Sequence, residues 1–278
     1  MSCDPSDSGC LPGPGQCGLA KDVVEGEVEE GRAKPGQFPF TAIIGRRRQL
    51  RKKLKCLSAE ANDPDCRNPY EIRYRWQCGG VLINQWYVLS DAHCFSRKLK
   101  GEEELVVRLG AYLIDDEEDD CTGPDCWLTQ DFIVDESLVV AHPDYETNRK
   151  GAINDIALLP LPRQARLTQG VAVACVPVDP VLTAAQLGLP DIGEALEGRV
   201  GHMVGWGYAS EEERLDGDKG YINKVATHLQ KNALVPIVSD TECVRVFEEI
   251  SPGFTIPSSQ FCAGEGEVGK GGCSVSII

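Results

Sequence analysis

Two side chains with catalytic chemistry lie in distinctive sequence surroundings. His93 is directly beside Cys94 in CGGVLINQWYVLSDAHC, after two apolar, strand-like runs, and Asp155 lies at the edge of the strongly apolar run NDIALLPL. An imidazole with an ordinary pKa near ~6.5 is available as a base at neutral pH. Either residue alone predicts little, because a lone histidine is usually structural and an aspartate at a strand edge is commonly a turn residue.

The elements that must position these residues are predicted to be mainly strands. From about Phe38, short β-type runs alternate with turns, which is typical of sandwiches and barrels. One helix is predicted over Ser239–Glu249, where Ser239 or Asp240 can cap it and apolar residues recur at helical spacing. The predicted strands are Thr41–Ile44, Gly80–Ile83, Tyr87–Ser90, Leu105–Gly110, Ile133–Val140, Ile156–Leu161 and Val200–Trp206.

Cysteine content and charge narrow the class of protein. Thirteen cysteines and two methionines in 278 residues indicate an oxidising compartment, and the cysteines are mostly too far apart for a zinc site. A formal charge of −15 argues against nucleic acid as a partner, and no run is long and apolar enough to predict a membrane span. No stretch resembles a signal peptide, so we expect a secreted protein whose exporting segment is not in this chain.

Three segments read together carry a family resemblance. With MVGWG (Met203–Gly207), the segments around His93 and Asp155 resemble the chymotrypsin-like, trypsin-type serine endopeptidases over residues 22–273. The cysteine-bearing leader and the CTGPDC loop look closest to arthropod clip-type proteases of clotting and prophenoloxidase cascades. The resemblance implies an all-β fold of two six-stranded barrels, after a leader or activation segment at residues 1–21. Within the protease domain at 22–278, the first barrel is expected at about 36–165 and an incomplete second barrel at about 166–278.

The resemblance also implies how most cysteines pair. Six disulfides are expected, the last of them a guess: Cys78–Cys94, Cys17–Cys175, Cys243–Cys262, Cys56–Cys66, Cys121–Cys126 and Cys3–Cys10. Cys273 is left unpaired, because its partner in the family lies further along the chain.

Acyl transfer is the implied chemistry. His93 is expected to take the proton of a serine hydroxyl, and Asp155 to hold the imidazole tautomer and stabilise the imidazolium. In the family the nucleophile follows in a Gly-Asp-Ser-Gly-Gly turn, but here Cys273 is followed by SVSII. Without gaps, Ser276 falls on the aspartate position and Ile277 on the nucleophile position. The sequence therefore predicts that the nucleophile is missing from this chain and that the chain as given is inactive.

Two charged segments are predicted as exposed loops. Arg46–Cys66 begins with seven basic residues in ten, Arg46–Lys55, which is either a binding site for an acidic partner or a solvated insertion. The acidic run Asp115–Asp120 lies where some relatives bind calcium, and its carboxylates suit that hard cation. The candidate calcium ligands are Asp115, Glu117, Glu118 and Asp120. A solvated charge run is the more common explanation, and no other cofactor is expected.

Three hypotheses for function remain open. The first is a secreted serine endopeptidase zymogen, cut short, that acts on a protein substrate or cascade partner. The second is a non-catalytic protease homologue that binds or regulates other proteins. The third is a gene or splice fragment without a stable fold. An unpaired thiol at Cys273 would favour truncation, because a complete cofactor domain should have all its cysteines paired.

Overall fold

Two antiparallel sheets make up most of the fold. The structure is a computed structural model of the chain, and it describes residues 16–18, 33–51, 70–112, 114, 129–148, 151–176, 197–206, 230–250, 252–257, 260–264 and 275–277. The strands are β1 (Thr41–Arg51), β2 (Tyr70–Asn84), β3 (Tyr87–Ser90), β4 (Glu103–Leu109), β5 (Gln130–Val134), β6 (Val140–Ala141), β7 (Glu146–Asn148), β8 (Gly151–Ile153), β9 (Ala157–Pro160), β10 (Val200–Gly205), β11 (Gln230–Val238), β12 (Cys262–Ala263) and β13 (Val275–Ile277). The helix α1 is Asp240–Ile250.

The larger sheet curls around one apolar core. Its seven strands run in the order β5-β4-β1-β2-β3-β9-β6, and β7 and β8 form a separate hairpin. Phe132 on β5 and Leu159 on β9 lie far apart in this strand order, yet both are buried in one cluster with Ile44, Leu82 and Val107. This shared core requires a curled sheet, as expected for a barrel.

The smaller sheet packs against the outside of the first. Its order is β12-β11-β10-β13, and it is the part of the predicted second barrel that the described residues contain. Val204 on β10 and Trp206 are buried with Ile43 of β1, Ala33 and Ala111. The two sheets therefore share a second apolar cluster, and the prediction of an all-β fold is confirmed.

The predicted helix is present with a shift of one residue. Ser239 precedes α1, and its hydroxyl accepts a hydrogen bond from the Glu242 backbone N–H at 3.2 Å, which is the contact expected of a helix-capping serine. Cys243 on α1 is bonded to Cys262 on β12. Within the part of the chain that the structure describes, no helix has the length and apolar character needed to cross a membrane.

The single strand predicted over Ile133–Val140 is wrong. β5 ends at Val134, and the Asp135 carboxylate accepts hydrogen bonds from the backbone N–H and the hydroxyl of Ser137. This local contact favours a 3₁₀ turn at Glu136–Leu138 over an extended chain, and it interrupts the pairing before β6.

The prediction of a loop from Arg46 onwards is also wrong for its first six residues. β1 continues through Arg51 and pairs with β2 as far as Tyr70, across a register shift between Ile44 and Gly45. A Cβ at Gly45 would lie 2.5 Å from the Arg75 carbonyl oxygen, so glycine permits the close approach at this irregularity. The remainder of the predicted loop, residues 52–66, lies outside the described residues.

Candidate active site

His93 lies in a short turn that is held at both ends. One residue, Asp91, separates the 3₁₀ turn Ala92–Phe95 from the end of β3. The Ser96 hydroxyl donates to the His93 carbonyl oxygen at 2.7 Å. Cys94 is bonded to Cys78 on β2. The histidine is therefore presented by a turn that the sheet and a disulfide fix on either side.

The residue before Asp155 has a left-handed backbone conformation, which orients Asp155. Asn154 has φ of 53°, and it is the one non-glycine residue with positive φ among those described. Its side-chain amide donates to the Asp144 carbonyl oxygen at 3.0 Å, and its own carbonyl accepts from Ile156 at 2.8 Å. Asparagine tolerates this conformation better than most residues. The resulting sharp turn places Asp155 two residues before the start of β9.

The structure brings His93 and Asp155 together through two contacts. The His93 backbone N–H donates to Oδ1 of Asp155 at 2.7 Å, and ring Nδ1 lies 2.8 Å from Oδ2. An ionised carboxylate has no proton to donate, so Nδ1 carries the hydrogen and a neutral ring keeps its lone pair at Nε2. The His93 side chain is 55% exposed and that of Asp155 is 20% exposed. The arrangement presents an accessible base oriented by a shielded carboxylate.

The surroundings of Nε2 do not form a metal centre. Cys94 Sγ lies 3.7 Å from Nε2, and the donor atoms of Cys78, His93 and Cys94 lie within 4.8 Å of one another. Both sulfurs belong to the disulfide between these cysteines, so they offer no thiolate to a cation. Among the side chains that the structure describes, no serine hydroxyl contacts Nε2.

A second carboxylate, Asp91, lies beside the pair. It precedes the 3₁₀ turn, and its side chain makes no capping hydrogen bond. Burial is the main cause that raises the pKa of Asp91; the charge of His93 opposes this effect, and that of Asp155 adds to it. Ionised Asp91 is therefore a cost to the folded state.

We expect Asp91→Asn to stabilise the protein at neutral pH. A carboxyl with a raised folded-state pKa supports the fold while it is protonated and loses that support as the pH rises through the folded-state pKa. The free energy of unfolding should therefore be higher for the variant at about pH 7 and equal to wild type near pH ~3, below the ordinary aspartate pKa. Urea unfolding across this range measures the difference, with exposed Glu102→Gln as a control for net charge. A variant less stable than wild type at neutral pH would contradict the expectation.

Tyr145 precedes the β7–β8 hairpin and is close enough to Asp155 to experience its charge. Its hydroxyl is buried with no hydrogen-bond partner among the described residues. Burial, with a contribution from the Asp155 charge, raises the pKa of Tyr145, so this residue stays neutral beside the carboxylate. His142 accepts at Nδ1 from the Asp144 backbone N–H at 3.1 Å, and this contact lies in the turn that leads to Tyr145.

Arg46 braces the segment that follows His93. Its guanidinium donates to the carbonyl oxygens of Arg97 and Lys98 and lies 3.4 Å from Glu103, with its side chain only 11% exposed. The Lys100 backbone N–H is the main cause that lowers the pKa of Glu103, and Arg46 adds to it. The sequence suggested that the charge of Arg46 binds a partner, whereas in the structure Arg46 makes contacts within the chain.

Arg46→Met should destabilise the protein by about 2 kcal/mol, since hydrogen bonds to a charged group contribute about 1.5–3 kcal/mol. Urea unfolding measures the loss, and amide exchange at residues 96–100 should become faster than elsewhere in the larger sheet. Arg48→Met removes an exposed arginine from the same strand and should cost less than about 0.5 kcal/mol. Equal losses for the two variants would show that the bracing contacts contribute nothing.

Three of the six predicted disulfides lie within the described residues, and the structure forms all three. These are Cys17–Cys175, Cys78–Cys94 and Cys243–Cys262. The predicted pairs Cys56–Cys66, Cys121–Cys126 and Cys3–Cys10, and Cys273, lie outside the described residues. The candidate calcium ligands, Asp115, Glu117, Glu118 and Asp120, lie outside them as well.

The segment on which the gapless comparison placed the nucleophile turn is partly described. Residues 275–277 form β13, which pairs with β10 through Met203–Ile277, Val204–Ser276 and Gly205–Val275. The gapless comparison placed Ser276 and Ile277 at turn positions, whereas the backbone here is extended and hydrogen-bonded to the second sheet. The segment thus continues the sheet instead of forming a turn.

A curled antiparallel sheet packed against a second sheet, with a histidine and an aspartate hydrogen-bonded beside a disulfide, defines a chymotrypsin-like protein. The trypsin family model matches residues 58–274, and the chain belongs to that family. The predicted fold and the trypsin-type resemblance are confirmed.

Several insect proteases are similar to this chain. The CLIP domain-containing serine protease HP8 of Bombyx mori is 33% identical over 73% of this chain and 48% of its own length. Phenoloxidase-activating factor 1 of Holotrichia diomphalia is 28% identical over 94% of this chain and 59% of its own. Serine protease ea of Drosophila melanogaster is 28% identical over 95% and 56%. The chain spans about half the length of these relatives.

Proposed function

We propose that the protein is a secreted serine endopeptidase in which His93 is the general base and Asp155 the residue that orients it. The observation that carries this proposal is the double contact from His93 to Asp155, at 2.7 and 2.8 Å. One contact fixes the backbone of the turn and the other fixes the ring, so Nε2 points away from the carboxylate as an acceptor. A geometry of this kind is the base half of a Ser-His-Asp site.

The chemistry would follow from the free lone pair at Nε2. A serine hydroxyl transfers its proton to Nε2 while its oxygen bonds to the carbonyl carbon of the scissile peptide, and Asp155 stabilises the imidazolium that forms. The imidazolium then protonates the leaving amine as the peptide C–N bond breaks. Water, deprotonated by the same nitrogen, hydrolyses the acyl ester and restores the serine.

The nucleophile is proposed to lie outside these 278 residues. The sequence contains no Gly-Asp-Ser-Gly-Gly segment, and the backbone of Ser276 is paired in β13. We therefore expect the chain as given to hydrolyse no peptide, and the activity to belong to a protein that adds the missing turn.

The proposal also includes secretion of the protein as a zymogen and action on a protein partner. All six cysteines of the described residues are in disulfides, which are typical of secreted proteins. The name of one relative, phenoloxidase-activating factor 1, says that it activates another protein. We propose that this protein likewise acts on a protein of a proteolytic cascade.

Covalent labelling of the natural protein tests the proposal. The protein is captured from its source with an antibody to this chain and treated with a biotinylated fluorophosphonate, which reacts with a serine activated by a neighbouring base. We expect a labelled species that contains peptides of this chain, with the label on a serine outside residues 1–278. The labelling is repeated after limited proteolysis that converts a zymogen to the active form, and protein that stays unlabelled in both states would overturn the proposal.

A second candidate function is supported by the backbone of β13. If residues 275–277 are a strand in the natural protein too, the protein is a non-catalytic homologue that binds or regulates a protease. The labelling experiment then gives no label, and an intact mass near 30.3 kDa would support this candidate. A larger mass with label on a downstream serine excludes it.

A further inference from the structure

The register between β1 and β2 places arginines opposite one another. Arg46 is paired with Arg75, and Arg48 with Arg73. Alternate residues of a strand point to the same face, so these four side chains share one face of the two-stranded ribbon. Like charges directly opposite each other destabilise a sheet. An anion bound across the face would remove that cost.

Acids of the chain already engage two of the arginines of β1. Arg46 contacts Glu103 and the carbonyl oxygens beyond His93, and Arg47, on the opposite face, lies 2.8 Å from Glu104. Arg48, Arg73 and Arg75 are exposed, while Arg73 and Arg75 also have interactions within the chain. Glu103 is the acid that the register places opposite Arg48; the hydrogen bonds from the Lys100 backbone N–H and from Arg46, together with the charge of Arg48, lower the pKa of this carboxyl.

We propose that the exposed face formed by Arg48, Arg73 and Arg75 binds a short acidic segment of a partner protein in an extended conformation. Arg73 and Arg75 are separated along β2 by about 7 Å, the repeat of alternate residues in any strand. An extended peptide with acids at alternate positions repeats its carboxylates at the same distance. Each guanidinium presents a planar fork that matches a carboxylate through two hydrogen bonds.

The size of the face and the charge of the chain favour a short segment over a long polyanion. Three arginines on two strands about 5 Å apart match two or three carboxylates. The whole chain carries a formal charge of −15, so a uniform polyanion extending past this face would meet net negative charge. The inference refines the acidic partner predicted for Arg46–Lys55. It does not depend on catalysis, because within the described residues His93 and Asp155 contact none of these arginines.

Fluorescence anisotropy with the full chain tests the proposal. The probe is a short labelled peptide with glutamate at alternate positions, separated by threonine, at a salt concentration of about 50 mM. Arg48→Glu and Arg73→Glu should each weaken binding by roughly tenfold, the scale of one lost charge-assisted contact. Arg166→Glu, an exposed arginine elsewhere in the chain, is the matched control and should change affinity by less than about twofold.

Further measurements distinguish an alternating acidic peptide from other anions and show that the variants remain folded. Arg48→Lys and Arg73→Lys keep the charge and lose the fork, so each should weaken binding while leaving the melting temperature unchanged. A peptide with the same glutamates in one block should bind more weakly than the alternating peptide. Equal affinity for wild type and the glutamate variants would overturn the proposal, as would tighter binding of a heparin fragment than of the peptide. Neither result bears on the fluorophosphonate labelling.

Discussion

Asp155→Asn is expected to lower kcat of the proposed serine-bearing protein by roughly 10⁴-fold, the magnitude known for the template enzyme of the Ser-His-Asp mechanism. The asparagine amide N–H₂ can only donate, so it cannot accept the hydrogen that Nδ1 gives to Oδ2 at 2.8 Å. The ring then takes the tautomer with hydrogen on Nε2, and that nitrogen no longer accepts the serine proton. Steady-state hydrolysis of a fluorogenic peptide substrate measures the loss.

The change of tautomer is measurable without the nucleophile. In the 278-residue chain, ¹⁵N chemical shifts of the His93 ring should show hydrogen on Nδ1 in the wild type and on Nε2 in the variant. Asp144→Asn is the matched control, because Asp144 is exposed and only its backbone participates in the turn before Asp155. A wild-type ring with hydrogen on Nε2 would contradict the proposed roles of both residues.

Phe132→Ala removes about 3–5 kcal/mol from the free energy of unfolding, the usual range for a buried phenylalanine. Phe132 is 1% exposed and is among the largest fully buried side chains, and it contributes to the cluster that holds the curled sheet closed. The guanidinium of Arg163 also lies 4.2 Å from its ring centroid. The substitution therefore leaves a cavity and removes the cation–π contact with Arg163.

Urea unfolding with disulfides intact measures the effect on stability. Phe261→Ala is the matched control, since Phe261 is 51% exposed and should cost less than about 1 kcal/mol. A loss at Phe132 no larger than at Phe261 would show that the barrel does not depend on this cluster.

Local patterns in the sequence were sufficient to predict the bounds of some strands and insufficient to predict those of others. The strand Tyr87–Ser90 has the predicted bounds because its three consecutive apolar and β-forming residues, Tyr87 to Leu89, leave little alternative. β1 is longer than predicted. The prediction ended at Ile44 because the run from Arg46 to Arg51 has no apolar alternation. Its strand conformation comes from pairing with β2, a non-local contact that periodicity does not report.

The residues of the candidate site likewise fall into those that local sequence patterns predict and those that only the fold reveals. The sequence identified His93 and Asp155, because each lies in a short motif whose neighbours are adjacent in the chain. It gave no role to Asp91 or Tyr145, and it assigned Arg46 to an exposed loop. Their positions depend on burial and on partners remote in sequence, such as Arg97 for Arg46. Only the folded structure contains that information.

The bond between Cys17 and Cys175 spans 158 residues and has a consequence for molecular architecture. The Gly18 backbone N–H also donates to the Val173 carbonyl oxygen at 2.8 Å, so residues 17 and 18 are attached to the sheet region by both covalent and backbone contacts. A single peptide-bond cleavage between residues 18 and 33 would therefore yield a two-chain molecule of essentially unchanged mass. The N-terminal piece would remain as a light chain that appears in electrophoresis only after reduction.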